Sequence, residues 1–217
     1  RGIIVERRVQ GHVQHEVAHQ LVRDLVYRDL SPEMRRSQHK RLARTLEVRK
    51  TRSARRTALI GEHYRLAGDA GKAFCLLVDA AERMHGRWLT GAAWDLATRA
   101  AALEDLARVD LTSAEMGASL LQLLRVQGVM LYGRGEWAAA QRTFERLMEV
   151  ADKRQDDRAS VRAAIRLSRA LHRTKALDRA ILLSEGALKA ARSTHDREAV
   201  AMALHELMMR PHAALIE

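Results

Sequence analysis

From residue 55 onward, apolar positions recur at three- and four-residue spacing in stretches broken by short polar turns, centred near GDAG (68–71), WLTG (88–91), GRGE (133–136) and TKAL (174–177). That period belongs to the α-helix, and the short turns make successive helices into hairpins. Ahead of them, QHEVAHQLVRDLVYRD (14–29) places Val17, Leu21, Val22, Leu25 and Val26 on one helical stripe. Ser31-Pro32 then predicts the start of a further helix, Ser as N-cap and Pro at the first helical position, running to about Arg49 with Met34, Leu42 and Leu46 on its apolar side. The pattern predicts an all-α chain.

Three segments superpose without gaps: GEHYRLAGDAGKAFCLLVDAA from Gly61, GVMLYGRGEWAAAQRTFERLM from Gly128 and SRALHRTKALDRAILLSEGAL from Ser168. In each, a small residue (Gly61, Gly128, Ser168) is followed three residues later by a large one (Tyr64, Leu131, Leu171). An alanine follows (Ala73, Ala140, Ala180), and then Leu77, Phe144 or Ser184. This spacing resembles the tetratricopeptide repeat, in which small residues let two helices approach and larger ones fill the seam to the next hairpin. The resemblance implies a right-handed α–α superhelix with a concave groove over residues 55–217. One departure is plain: the matching alanines are 67 and then 40 residues apart, where the family has 34. The first interval holds an irregular hairpin, AAERMHGRWLTGAAWDLATRAAAL, whose Ala93 and Ala97 fit a second helix.

The first fifty residues resemble the segment of multidomain signalling ATPases of the STAND type in which a winged helix passes into a helical arm. The matching positions are His15, Leu21, Val22, Arg23, Asp24, Val26, Tyr27, Arg35, Arg36 and His39, with Gln38 where a leucine is usual. The resemblance implies an upstream nucleotide-binding module and an output domain elsewhere, such as a kinase, cyclase or DNA-binding domain, in a bacterial-type regulator. Residues 1–30 are then the end of the winged helix or its linker, 31–54 a basic connecting helix, and 55–217 the repeats. The chain is read as a piece of a longer protein.

Composition narrows the class further. Two Pro, 12 Gly and 4% aromatics in 217 residues exclude a sandwich or barrel, which would need many turns and aromatic or β-branched strands. The single cysteine, Cys75, excludes an intramolecular disulfide framework and fits a reducing cytoplasm. No apolar run reaches the roughly 18 residues of a membrane span, and no secretion leader is visible. The net charge of +11 suggests a polyanion binder until it is resolved along the chain. Residues 1 to 56 hold 15 Lys and Arg against 6 Asp and Glu, and the remainder 23 against 21. The surplus is a leading basic segment.

Several residues invite chemistry. His15-Glu16-Val17-Ala18-His19 spells H-E-x-x-H, which on a helix puts two imidazoles on one face for Zn²⁺ with the glutamate as base. A zinc metalloprotease would also need a third ligand and an upstream sheet; the next glutamate, Glu33, lies beyond Ser31-Pro32, and Val22 and Leu25 stand where an extended motif has Gly and His. The pattern is read as a decoy. Gly68-Asp69-Ala70-Gly71-Lys72 is too short for a phosphate loop and has Ala73 where a hydroxyl is required. Cys75 reads as a buried thiol, and Trp88, Trp94 and Trp137 as seam packing. No catalytic, metal or cofactor site is expected.

A binding surface is expected instead. In tetratricopeptide arrays the first helix of each hairpin lines the groove, at positions three before, one after and four after the small residue. Carried onto this chain, these are Ala58, Glu62 and Arg65, then Arg125, Val129 and Tyr132, then Ile165, Arg169 and His172, with Arg162 one turn earlier. Four arginines, a tyrosine and a histidine favour a protein or peptide partner that is acidic, or a carboxylate effector. The basic segment 35–56 carries the alternative reading, a nucleic-acid contact through phosphates. The last helix, DREAVAMALHELMMRPHAALIE, offers Leu204, Leu207 and Met208 to a partner, including a second copy of the chain.

Overall fold

The computed structural model describes residues 4–9, 12–17, 20–48 and 53–208. Two antiparallel strands, β1 (Ile4–Val9) and β2 (His12–Val17), come first, with Ile4 opposite Val17 and Val9 opposite His12. Helices follow: α1 (Gln20–Asp29), α2 (Pro32–Val48), α3 (Ala54–Leu66), α4 (Ala70–His85), α5 (Thr90–Ala101), α6 (Glu104–Ala107), α7 (Ala114–Gly133), α8 (Trp137–Lys153), α9 (Asp157–Arg173), α10 (Leu177–Ser193) and α11 (Arg197–Met208). Every described element after β2 is helical, so the body of the chain is all-α. No described helix is long and apolar enough to cross a membrane.

The N-terminal expectation needs correcting. The helix predicted from residue 14 begins only at Gln20, and residues 14–17 belong to β2. The stretch HVQHEV sets valines at 13 and 17 around polar residues and pairs its backbone with IVERRV, so ladder hydrogen bonds win over helix propensity. The H-E-x-x-H reading fails for the same reason. His15 and Glu16 sit on a strand, not on the helix that would bring positions 15 and 19 within one turn; His19 lies outside the described residues. β1 precedes the motif, and β2 takes in its first three residues, His15 to Val17.

α2 starts as expected, with Ser31 Oγ accepting from the Met34 amide at 3.1 Å. Three residues that carry the family resemblance meet around it. The Tyr27 hydroxyl lies 2.9 Å from His39 Nε2, Arg35 sits over the Tyr27 ring at 5.4 Å, and His39 Nδ1 lies 3.0 Å from Nδ1 of His63 on α3. Two facing Nδ1 atoms can share one proton, not two. Burial, then the His63 charge, hold His39 below its ordinary 6.5, against the opposing pull of Glu62. A base depressed in the folded state stabilises above its unfolded value, and that contribution disappears as pH falls through the folded one. Protection of the α2 amides, corrected for intrinsic exchange, should therefore fall as pH drops below the ordinary histidine value of 6.5, and His39→Gln should flatten the difference.

From α3 to α5 and again from α7 onward each helix packs on the next, while α6 packs on α4 and α7 on both α4 and α5; most of the turns share one construction. A residue with positive φ falls at Gly68, Trp88, Arg108, Gly135, Gln155, Lys175 and His195: every twentieth residue, save one step of twenty-seven. At six of these, all but Arg108, the next amide bonds back to the carbonyl five residues earlier: Asp69 to Tyr64, Leu89 to Met84, Glu136 to Leu131, Asp156 to Ala151, Ala176 to Leu171 and Asp196 to Ala191, all at 2.9–3.1 Å. This is the left-handed C-terminal closure of a helix, repeated as a unit. Asp69, Asp156 and Asp196 then cap the following helix through side-chain oxygens. The long step explains the 67-residue interval. The seven additional residues lie between Arg108 and Gly135, where α7 runs to 20 residues and the Arg154 guanidinium holds the loop before it by donating to the carbonyls of Leu111 and Ser113.

The superposed small residues sit at equivalent close approaches. A Cβ on Gly61 would come 3.2 Å from Leu76 and Leu77, one on Gly128 would enter the Phe144 ring, and Ser168 Oγ donates to the Ala180 carbonyl at 2.9 Å while meeting Ser184 Oγ at 2.6 Å. Ala73, Ala140 and Ala180 are fully buried at the same seams. The main core runs from Ala43 to Ala180, and a second cluster under α11 gathers Val161, Ile165, Ala187, Ala191, Ala199 and Ala203.

Candidate arginine-lined groove

α9 buries Val161, Ala164, Ile165, Ser168 and Leu171. The residues left for the other side include Arg162, Arg166, Arg169 and Arg173, spaced four, three and four, so one stripe of the helix carries four guanidiniums. α7 adds Arg125, Val129 and Tyr132, spaced four and three. These two stripes line three connected cavities. One of about 430 Å³ holds Arg125, Arg162 and Arg166. A second of about 260 Å³ shares Arg125 and Arg166 and adds His85, Tyr132 and Arg169. The third, about 430 Å³, shares Tyr132 and Arg169 and extends to His172, Arg173 and His205.

Most of the cations have counter-charges. Arg125 pairs with Glu82, and Arg162 forks onto Asp196 at 3.0 Å and Glu198 at 2.8 Å. Arg169 Nε donates to Glu206 at 2.7 Å, and that carboxylate is only 3% exposed. Arg173 donates to the Tyr132 hydroxyl at 3.0 Å and lies over the Tyr132 and Trp137 rings; the hydroxyl contact holds it more firmly protonated. Arg166 differs. It is half-buried, donates to the Arg162 carbonyl at 3.1 Å, and forms no ion pair with a carboxylate among the described residues. Burial first, then the charges of Arg125, Arg162 and Arg169, push its guanidinium down to about 10; it remains charged at neutral pH.

Of the residues expected in the groove, Arg125, Tyr132, Arg162, Arg169 and His172 line these cavities, as does Val129. Glu62 and Arg65 do not; they pair with each other along α3 at 2.5–3.0 Å. Ile165 is fully buried in the second cluster, because α10 and α11 cover that side of α9 and turn its open face by one position. Arg166, Arg173, His85 and His205 fall outside the repeat register, although R-x3-R-x2-R-x3-R is itself visible in the sequence.

Of the other residues singled out in the sequence, Gly68, Lys72, Cys75 and the three tryptophans lie outside these three cavities. Gly68 takes φ +82 in a turn, and Lys72 packs over the Tyr64 ring at 4.8 Å. Cys75 is half-buried and burial pushes its thiol up, the reverse of what a nucleophile needs. Among the described residues no three His, Cys, Asp or Glu side chains gather as a metal site. Seam packing holds for Trp94 but not for Trp88, which is 88% exposed, nor fully for Trp137 at 40%. Compared with protein-family models and with curated proteins, the chain matches none.

Proposed function

We propose that this chain is a non-catalytic, tetratricopeptide-like recognition arm of a larger signalling or transcription regulator, and that its groove takes an acidic protein or peptide segment. The observation that carries this reading is the set of five arginines from two helices facing connected cavities, with Arg166 at their centre lacking a carboxylate. Guanidinium offers a planar fork of donors suited to carboxylates, and clustered guanidiniums repel one another until an anion joins them. The regular turn spacing favours a curved array whose hairpins contact chiefly their neighbours. The relay of contacts from Tyr27 to His39 and from His39 to His63 couples α1 and α2 to the first hairpin. A ligand that prefers one curvature of the array would thereby bias whatever the connecting helix is attached to, an upstream ATPase in this reading.

The test is fluorescence anisotropy of a labelled Glu- and Asp-rich decapeptide with the whole chain at low salt, beside a DNA duplex. The peptide should bind with a Kd on the order of micromolar, weaken as salt rises, and lose about a hundredfold when Arg125, Arg166 and Arg169 all become glutamine. Peptide binding insensitive to those three changes would overturn the reading. Tight binding of the duplex in place of the peptide would transfer the function to the exposed cations of α2, Arg36, Lys40, Arg41 and Arg44.

A further inference from the structure

A fourth cavity, of about 440 Å³, opens beside the groove and shares His85 and Val129 with the chamber that holds Arg125 and Arg166. Its character is different. Trp88, Trp94, Val129 and Met130 line it, and its cation, Arg134, is occupied over the Trp94 ring at 4.7 Å. The volume is in the range of small-molecule sites, which are mostly apolar with a few placed polar groups.

Trp88 is the residue that needs explaining. It occupies one of the recurrent left-handed turn positions, with φ +62, where the chain elsewhere uses Gly68, Gly135 or the polar Gln155, Lys175 and His195. A bulky residue there costs backbone energy, and 88% of this one faces solvent, so no packing compensates. An indole held in that way at the mouth of an apolar cavity is what a ligand wall would require.

We propose that the two chambers form one bipartite site for a small amphipathic carboxylate, its aromatic or branched apolar body between Trp88 and Trp94 and its carboxylate on the forks of Arg166 and Arg125. The site rests on the groove being a recognition surface and specifies a second, small-molecule occupant for part of it. Charge and shape select the ligand together. Arg166 lacks the counter-ion that Arg125, Arg162 and Arg169 each have, and the neighbouring chamber offers apolar surface continuous with it through Val129. An uncharged apolar molecule would leave the guanidinium cluster unrelieved, and a bare anion would leave the indoles exposed.

The experiment titrates ω-phenylalkanoates, from phenylacetate to 6-phenylhexanoate, into Trp137→Phe protein and follows the emission of Trp88 and Trp94. Matched phenylalkanols and acetate serve as half-ligands. Affinity should peak at one chain length and exceed that of the matching alcohol by at least about tenfold. Arg166→Gln should erase the advantage of acid over alcohol. Trp88→Gly, which relieves the turn and so does not threaten the fold, should weaken the acid by about tenfold without lowering the melting temperature. Equal binding of acid and alcohol, or displacement of the best phenylalkanoate by acetate at equal concentration, would overturn the bipartite site. If that happens while the acidic decapeptide still binds and still depends on Arg166, the groove reading stands alone; if the decapeptide fails as well, both fall.

Discussion

Gly128→Val should destabilise the chain by about 3 kcal/mol or more in urea unfolding, at the upper end of what overpacking a core costs. The reason lies in one crossing. The Phe144 ring, 2% exposed, lies across the α7 backbone where any Cβ at 128 would stand. The ring cannot swing aside without opening a cavity, and a β-branched side chain adds two methyl groups to the collision. Gly61→Ala should cost less, about 1 kcal/mol, since its nearest neighbours are leucine side-chain atoms at 3.2–3.3 Å, which can give slightly. Gly186 supplies the opposite case. It sits on α10 with open space for 4 Å around the place a Cβ would take, so Gly186→Ala should stabilise by about 0.5–1 kcal/mol through helix propensity alone. Three glycines in helices, three signs or sizes of effect, follow from what each one faces.

Arg166→Leu should raise stability by about 1 kcal/mol while removing most of the affinity for the acidic peptide. A half-buried guanidinium among three others, with no carboxylate of its own, is unfavourable in the unliganded protein; leucine keeps the apolar stem and removes the repulsion. Arg169→Leu should do the reverse to stability. It strands the Glu206 carboxylate, 3% exposed, beneath α11, and leaving a buried charge unpaired should cost about 2–3 kcal/mol given that Arg169 itself is partly open to solvent. Thermal melting of the two variants separates a residue held for the ligand alone from one that also holds the fold. If Arg166→Leu melted lower than the parent, the residue would be structural.

Much of the hairpin order is legible in the sequence because the small residues 61, 128 and 168 and the alanines 73, 140 and 180 mark the seams of α3 with α4, α7 with α8 and α9 with α10. The turns are legible only where chemistry announces them. Gly68 and Gly135 are obvious punctuation, whereas Gln155 and His195 adopt the same left-handed closure without glycine, and only the capping Asp156 and Asp196 that follow give them away. At the N-terminus the valines of HVQHEV fit a helical stripe and a strand equally well, and pairing with residues 4–9 decides, which no local pattern contains. The groove is half legible for a related reason. The expected positions include Arg125 and Tyr132 on α7 and Arg162, Arg169 and His172 on α9, but α11 packs against α9 and buries Ile165, so that Arg166 and Arg173 join the open stripe unannounced. A terminal helix thus resets the site from outside the repeat.

In the function proposed for this chain, the arginines of α7 and α9, and not the basic helix α2, are the recognition surface. Resonances of arginine Nε–H groups, assigned by single substitutions and followed by ¹⁵N NMR during titration with the acidic decapeptide, test it directly. Arg125, Arg166 and Arg169 should shift together and saturably while Arg36, Arg41 and Arg44 stay in place. Movement of the α2 arginines alone, or of none, would contradict it.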